Sequence, residues 1–140
     1  MSGSYAGDIS PREAWNILSS DDKAVLIDVR TAPEWSFVGV PDLAPLGKRL
    51  VQQSWQAYPR MEVDRDFAAR LAATVADRDA PLVFLCRSGA RSRAAAIAMT
   101  KAGYGRCYNV ATGFEGGHDA ERHRGTVAGW KADGLPWRQD

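Results

Sequence analysis

The stretch Leu82-Val-Phe-Leu-Cys-Arg-Ser-Gly-Ala-Arg-Ser-Arg-Ala-Ala95 constrains the fold more than any other part of the chain. Leu82 to Leu85 is a short, continuous apolar run entered through Pro81, the pattern of a strand buried on both faces of a parallel sheet. It stops at Cys86. From about Arg91 the apolar residues Ala94, Ala95, Ile97, Ala98 and Met99 recur at helical spacing. The cysteine is therefore expected at the carboxyl end of a strand, on a glycine-containing loop that feeds a helix. Open α/β sheets place their ligand sites at such corners.

That position has a chemical consequence. The first N–H groups of a helix lack intrahelical acceptors, and with the helix dipole they favour an anion in the preceding loop. Arg87, Arg91 and Arg93 add positive charge within a few residues, and Gly89 lets the loop curl into a nest of N–H groups. Each effect favours thiolate over thiol at Cys86, which makes it the candidate nucleophile.

The rest of the chain supplies further strand and helix signals. Ser10, Pro11 and Glu13 form a capping pattern ahead of Ala14, Trp15, Ile17 and Leu18. Ala24 to Val29 is a second buried run, ending at the charged pair Asp28 and Arg30 on the same sheet edge as Cys86. Asp64 or Asp66 opens a helix with the stripe Phe67, Ala68, Leu71, Ala72 and Val75. Gly103-Tyr-Gly105 closes the helix after Cys86, and Tyr108 to Ala111 is another short strand. Strands alternating with helices predict an α/β fold with a parallel sheet of three or four strands, in one domain over residues 1–140. Residues 42–59 carry little periodicity, with Leu50-Val51 as an edge-strand candidate and Trp35, Trp55 and Tyr58 as cover for one face.

A net charge of +1 gives no bulk attraction for nucleic acid, and no apolar segment is long enough for a membrane span. The opening residues have no signal-peptide pattern. Two cysteines, Cys86 and Cys107, are too few for a disulfide scaffold, so a reducing cytoplasm is the expected compartment. Cys107, in the short segment Cys107-Tyr-Asn-Val110 with Arg106 as its one adjacent basic residue, reads as a small core side chain. His118 and His123 are five apart, off one helix face, and no other ligand is spaced for a metal.

The segment Cys86-Arg-Ser-Gly-Ala-Arg-Ser92 resembles the active-site loop of rhodaneses, the thiosulfate-type sulfurtransferases. Dual-specificity phosphatases of the cell-cycle type carry one residue more between the cysteine and the arginine. Leu26-Ile-Asp-Val-Arg-Thr-Ala-Pro-Glu-Trp35 is similar to the family's first signature, although Gly39-Val40-Pro41-Asp42 stands where the family usually has Gly-His-Ile-Pro. Asn109-Val110, Gly113-Phe114, Gly116, and Trp130 with Gly134-Leu-Pro-Trp137 complete the likeness over nearly all of the chain.

The resemblance implies a rhodanese-like fold with about five parallel strands flanked by helices on both faces. It also implies a ping-pong sulfur transfer through a Cys86 persulfide. Arg87, Ser88, Gly89, Ala90, Arg91 and Ser92 would bind the substrate, Arg87 and Arg91 holding its oxyanion. Asp28 and Arg30 would order the loops. No cofactor or metal is implied. The partners would be a small anionic sulfur donor and a thiophilic acceptor, a protein thiol among the candidates. The competing readings are a persulfide carrier or interaction module, and a phosphatase or arsenate reductase.

Overall fold

The computed structural model describes residues 4–139. In chain order they form β1 (Gly7–Ile9), α1 (Pro11–Ser20), β2 (Val25–Asp28), α2 (Ala32–Val38) and β3 (Val40–Pro41). After a 3-10 turn at Ala44–Leu46 come β4 (Val51–Gln52), β5 (Gln56–Ala57), β6 (Glu62–Val63) and α3 (Phe67–Thr74). The chain ends with β7 (Leu82–Leu85), α4 (Ala90–Lys101), β8 (Cys107–Val110) and β9 (Trp137–Arg138).

The main sheet has five strands in the order β1-β8-β7-β2-β4, and every pairing is parallel. This is the α/β architecture with the parallel sheet expected. The apolar run Leu82–Leu85 takes the central place, fully buried, as a strand covered on both faces must be. Successive side chains of β2 and β7 point to opposite faces and feed two separate cores. Leu26, Val83 and Leu85 join Ala14 and Leu18 of α1, with Phe114, Trp130 and Leu135. Ile27, Leu82, Phe84 and Cys86 join Phe67 and Leu71 of α3, and Ala95, Ala96 and Met99 of α4. Helices therefore cover both faces.

Local chemistry explains the helix starts. The Ser10 hydroxyl accepts the Glu13 N–H at 3.0 Å and Glu13 Oε1 accepts the Ser10 N–H at 3.0 Å, the reciprocal capping the sequence predicts. In α4 the buried stripe is Ser92, Ala95, Ala96 and Met99 rather than the purely apolar set read from the sequence. Its alanines let the helix lie close to the sheet, and the serine among them lies against the Cys86 sulfur.

Several elements escaped the sequence reading, the short antiparallel pair of β3 and β9 among them. β1 is only three residues long, with one buried apolar side chain, too short to show a period. α2 buries no residue, so it has no apolar stripe. The hairpin of β5 and β6 is polar and mostly exposed. Elsewhere, β8 starts at Cys107, one residue before the strand predicted, and Val51 does enter an edge strand. Trp55 packs edge-on against Phe67 with ring centroids 5.1 Å apart, whereas Tyr58 stands 65% exposed and covers nothing.

Candidate active site

Strand register brings the site together. Asp28 lies beside Leu85 and Asn109 beside Phe84, so the ends of β2, β7 and β8 converge on Cys86. The loop from Cys86 to Gly89 then rests on the turn after β8. The Phe114 N–H donates to the Cys86 carbonyl at 2.8 Å, and the Glu115 N–H to the Arg87 carbonyl at 3.0 Å. This contact is backbone on backbone. A Cβ on Gly89 (φ +111°) would meet the Ala111 carbonyl oxygen at 2.2 Å, and one on Gly113 (φ +67°) would meet the Cys86 carbonyl oxygen at 2.6 Å. Both positions need glycine twice over, for conformation and for space.

Cys86 is 1% exposed. Its Sγ accepts the Gly89 N–H at 3.1 Å and lies 3.2 Å from Ser92 Oγ. The N–H groups of the first turn of α4 begin just beyond. A cavity of about 350 Å³ opens above the sulfur, lined by Glu34, Gln56, Met61, Arg87, Ser88, Ala90 and Arg91 as well as Cys86. A larger recess of about 720 Å³ lies between α2 and the β5–β6 hairpin, but no cysteine lines it. Cys86, the candidate nucleophile, lines the smaller one.

The expected substrate residues separate into groups. Arg87, Ser88 and Ala90 are exposed on the cavity side. Ser92 is buried behind the sulfur, its hydroxyl also near Asn109. Arg91, expected as a holder of the substrate oxyanion, pairs with a carboxylate in this structure. Its Nη1 and Nη2 donate to the two oxygens of Glu34 at 2.7 and 2.9 Å, so the guanidinium fork is already occupied. Burial pushes the Glu34 carboxyl up, yet the Arg91 hydrogen bonds and charge outweigh it and hold the group below its ordinary value. The same bond, working against burial, raises Arg91. The pair ties the first turn of α4 to α2, and Arg87 is the loop cation left at the mouth.

Asp28 and Arg30 are fully buried. Arg30 donates from Nε and Nη2 to Asp28 at 2.9 and 2.7 Å, and from Nη2 to the Gly39 carbonyl at 2.8 Å. Its guanidinium lies 4.4 Å from the Phe114 ring centroid. The pair thus links the end of β2 to the end of α2 and to the turn under the cysteine loop.

Glu34, Gln56, Met61 and Asn109 were not singled out from the sequence as site residues. Glu34 carried a signal, because Thr31 three residues earlier and Pro33 between them mark a helix start, and Asn109 stood in one of the motifs of the family likeness. Among the described residues no group of three His, Cys, Asp or Glu is arranged to hold a metal ion, and His118 and His123 are both exposed. No helix among them is long and apolar enough to cross a membrane.

A family model described as the STR4 middle domain matches residues 6–140. The chain belongs to that rhodanese-like family. The likeness extends to a solved structure, Rv0390 from M. tuberculosis, at 51% identity and TM-score 0.89, covering 98% of this chain and 100% of that one. An uncharacterized protein of Rickettsia conorii is 40% identical over 131 residues, 93% of this chain and 95% of its own. The thiosulfate sulfurtransferase GlpE of Actinobacillus succinogenes is 28% identical over 129 residues, 92% of this chain and 87% of its own. The five-stranded parallel sheet with helices on both faces is the rhodanese-like fold.

Proposed function

We propose that this protein is a sulfurtransferase that moves a sulfane sulfur from an anionic donor such as thiosulfate to a thiophilic acceptor through a persulfide on Cys86. The observation that carries the reading is Cys86 Sγ at the floor of a small cavity, with the Gly89 N–H donating to it at 3.1 Å. A relative named as a thiosulfate sulfurtransferase supports it.

The Cys86 thiolate attacks the outer sulfur of thiosulfate, a new S–S bond forms, and sulfite leaves with the electron pair of the bond that breaks. The outer sulfur then carries the negative charge, within reach of the loop N–H groups from Arg87 to Ser92. Arg87 attracts the donor's oxyanion. In the second half-reaction the acceptor attacks the outer sulfur, and the Cys86 thiolate leaves and is ready for another cycle. Asp28, Arg30 and the Glu34–Arg91 pair keep the loop in shape. A buried, unpaired thiol suits a reducing compartment, and we place the reaction in the cytoplasm.

A phosphatase would need the cysteine loop to surround a tetrahedral oxyanion. This loop has one residue fewer, which withdraws up to about 3.3–3.6 Å of chain, and Arg91 is engaged by Glu34.

Mass spectrometry after incubation with thiosulfate tests the proposal. The expected result is one added sulfur on the Cys86 peptide, removed by cyanide and absent in Cys86→Ser. Hydrolysis of aryl phosphates without sulfur loading would overturn it. Loading without turnover to cyanide would favour a carrier whose acceptor is a protein thiol.

A further inference from the structure

Behind Cys86, on the side away from the cavity, a line of polar side chains runs from the sulfur to the edge of the sheet. Ser92 Oγ lies 3.2 Å from Cys86 Sγ and 2.5 Å from Asn109 Oδ1. Asn109 Nδ2 donates to Asp8 Oδ1 at 3.0 Å, so the amide turns its nitrogen to the carboxylate and its oxygen to Ser92. Asp8 Oδ1 also accepts the Tyr5 hydroxyl at 2.5 Å, and the Arg93 guanidinium lies 5.8 Å from the Tyr5 ring centroid. The Tyr5 hydrogen bond, helped by Asn109 and Arg93 against burial, holds the Asp8 carboxyl below its ordinary value, so it remains an acceptor. Ser92 and Asn109 are 0% and 2% exposed, which leaves bulk water little part in this line.

Proton counting decides how the line works. The Ser92 hydroxyl has one proton and three acceptors in reach: Asn109 Oδ1, Cys86 Sγ and the Gly89 carbonyl at 3.2 Å. An amide oxygen carries no hydrogen, so the short contact to Asn109 requires Ser92 to be its donor. The oxygen that faces the sulfur then offers a lone pair. That suits a neutral thiol and opposes a thiolate.

We propose that Asn109, anchored by Asp8, is a positioning residue that holds the Ser92 proton away from Cys86 Sγ unless that sulfur itself carries the negative charge. In the free thiolate the charge sits on Sγ, and the Ser92 O–H turns to it, leaving the buried Asn109 oxygen without its donor. On loading, Sγ becomes bonded to two neighbours and the charge moves to the outer sulfur. The Ser92 O–H then rotates back to Asn109. No proton is transferred in either rotation. Asn109 and Asp8 thus draw the Ser92 donor off the bare thiolate and favour the thiol and the sulfur-loaded protein, a bias toward keeping sulfur until an acceptor arrives. Its loaded half rests on the sulfurtransferase reading, and its thiol half does not.

The experiment is the alkylation rate of Cys86 by iodoacetamide near neutral pH, which needs no sulfur donor. Asn109→Ala releases the Ser92 proton to the sulfur and should raise the rate about threefold to tenfold, while Ser92→Ala lowers it by a similar factor. The variant lacking both should match Ser92→Ala, because Asn109 acts through Ser92. Asn109→Asp keeps an oxygen facing Ser92 and should not raise the rate. Asp8→Ala, at the exposed sheet edge, should raise it in the same sense as Asn109→Ala and gives a reading even where Asn109→Ala folds poorly. In the loaded protein, cyanide should remove sulfur faster from Asn109→Ala, since the departing Sγ finds a ready donor. A slower alkylation in Asn109→Ala or Asp8→Ala, or independent effects of Asn109 and Ser92, would overturn the proposal. A persulfide that never forms in the unmodified protein would overturn the sulfurtransferase reading alone, with the alkylation rates still deciding the role of Asn109.

Discussion

Two buried cysteines show how placement decides chemistry at the scale of a residue. Cys107 opens β8 opposite Leu82, four residues before Cys86. At about 3.3 Å per residue that puts the two sulfurs roughly 13 Å apart along the sheet, well beyond the reach of a disulfide. Cys86 sits where β7 gives way to a loop with donors on its sulfur. Cys107 donates to the Tyr104 carbonyl at 3.5 Å, and burial, against a hydrogen bond with Thr100, pushes its thiol up to about 11. Cys107→Ala should therefore leave sulfur loading of Cys86 intact, measured by mass spectrometry. The raised value also has a consequence for pH. The folded chain holds this proton at pH values where the unfolded chain has lost it, so the stabilisation is complete below the ordinary value of 9.0 and is lost as pH rises toward about 11. Denaturation midpoints should fall across that interval, and Cys107→Ala should fall less.

At the scale of elements, the cysteine loop keeps its shape through what it is packed against. α4 is tied to α2 by Arg91 and Glu34, whose side chains are 17% and 20% exposed. Partial solvent screening reduces the worth of such a pair from that of a fully buried one, so Glu34→Ala should cost about 1–2 kcal/mol by chemical denaturation. It should also slow sulfur loading, because the first turn of α4 loses its tether. Glu34 is held below its ordinary value, so its stabilisation is present above that value and is lost as pH falls through the lowered one. Gly113 is a sharper test of the same contact. Gly113→Ala drives a Cβ into the Cys86 carbonyl at 2.6 Å in a left-handed conformation, and should destabilise by more than about 1 kcal/mol. Loss of persulfide formation with retained far-UV circular dichroism is the expected signature.

At the scale of the whole molecule, the central sheet divides the interior into two cores that share no side chain. Cys86 belongs to the one built by α3 and α4. Trp130 belongs to the other, fully buried, edge-on to Trp15 with centroids 5.9 Å apart and donating from Nε1 to the Pro136 carbonyl at 2.7 Å. Trp130→Ala should cost about 3–5 kcal/mol in urea denaturation. The fraction that remains folded should still load sulfur, because the lost side chain belongs to the other core from Cys86.

The sequence by itself determined the central strand, the cysteine-bearing corner after it, the capped first helix and the alternation that makes the sheet parallel. Those signals are local: a buried run, a glycine loop and a capping pair act over a few neighbouring residues. Asp28 and Arg30 were legible for the same reason, being two residues apart at a strand end. The tertiary structure alone decided that Arg91 belongs to Glu34, that Gln56 and Met61 line the cavity, and that Ser92 answers to Asn109 and Asp8. Ser92 and Asn109 are seventeen residues apart and Arg91 and Glu34 fifty-seven. No spacing rule joins such pairs. Strand register and helix docking bring them together, and hydrogen bonds across buried space then settle which oxygen and which proton each one has left for the sulfur.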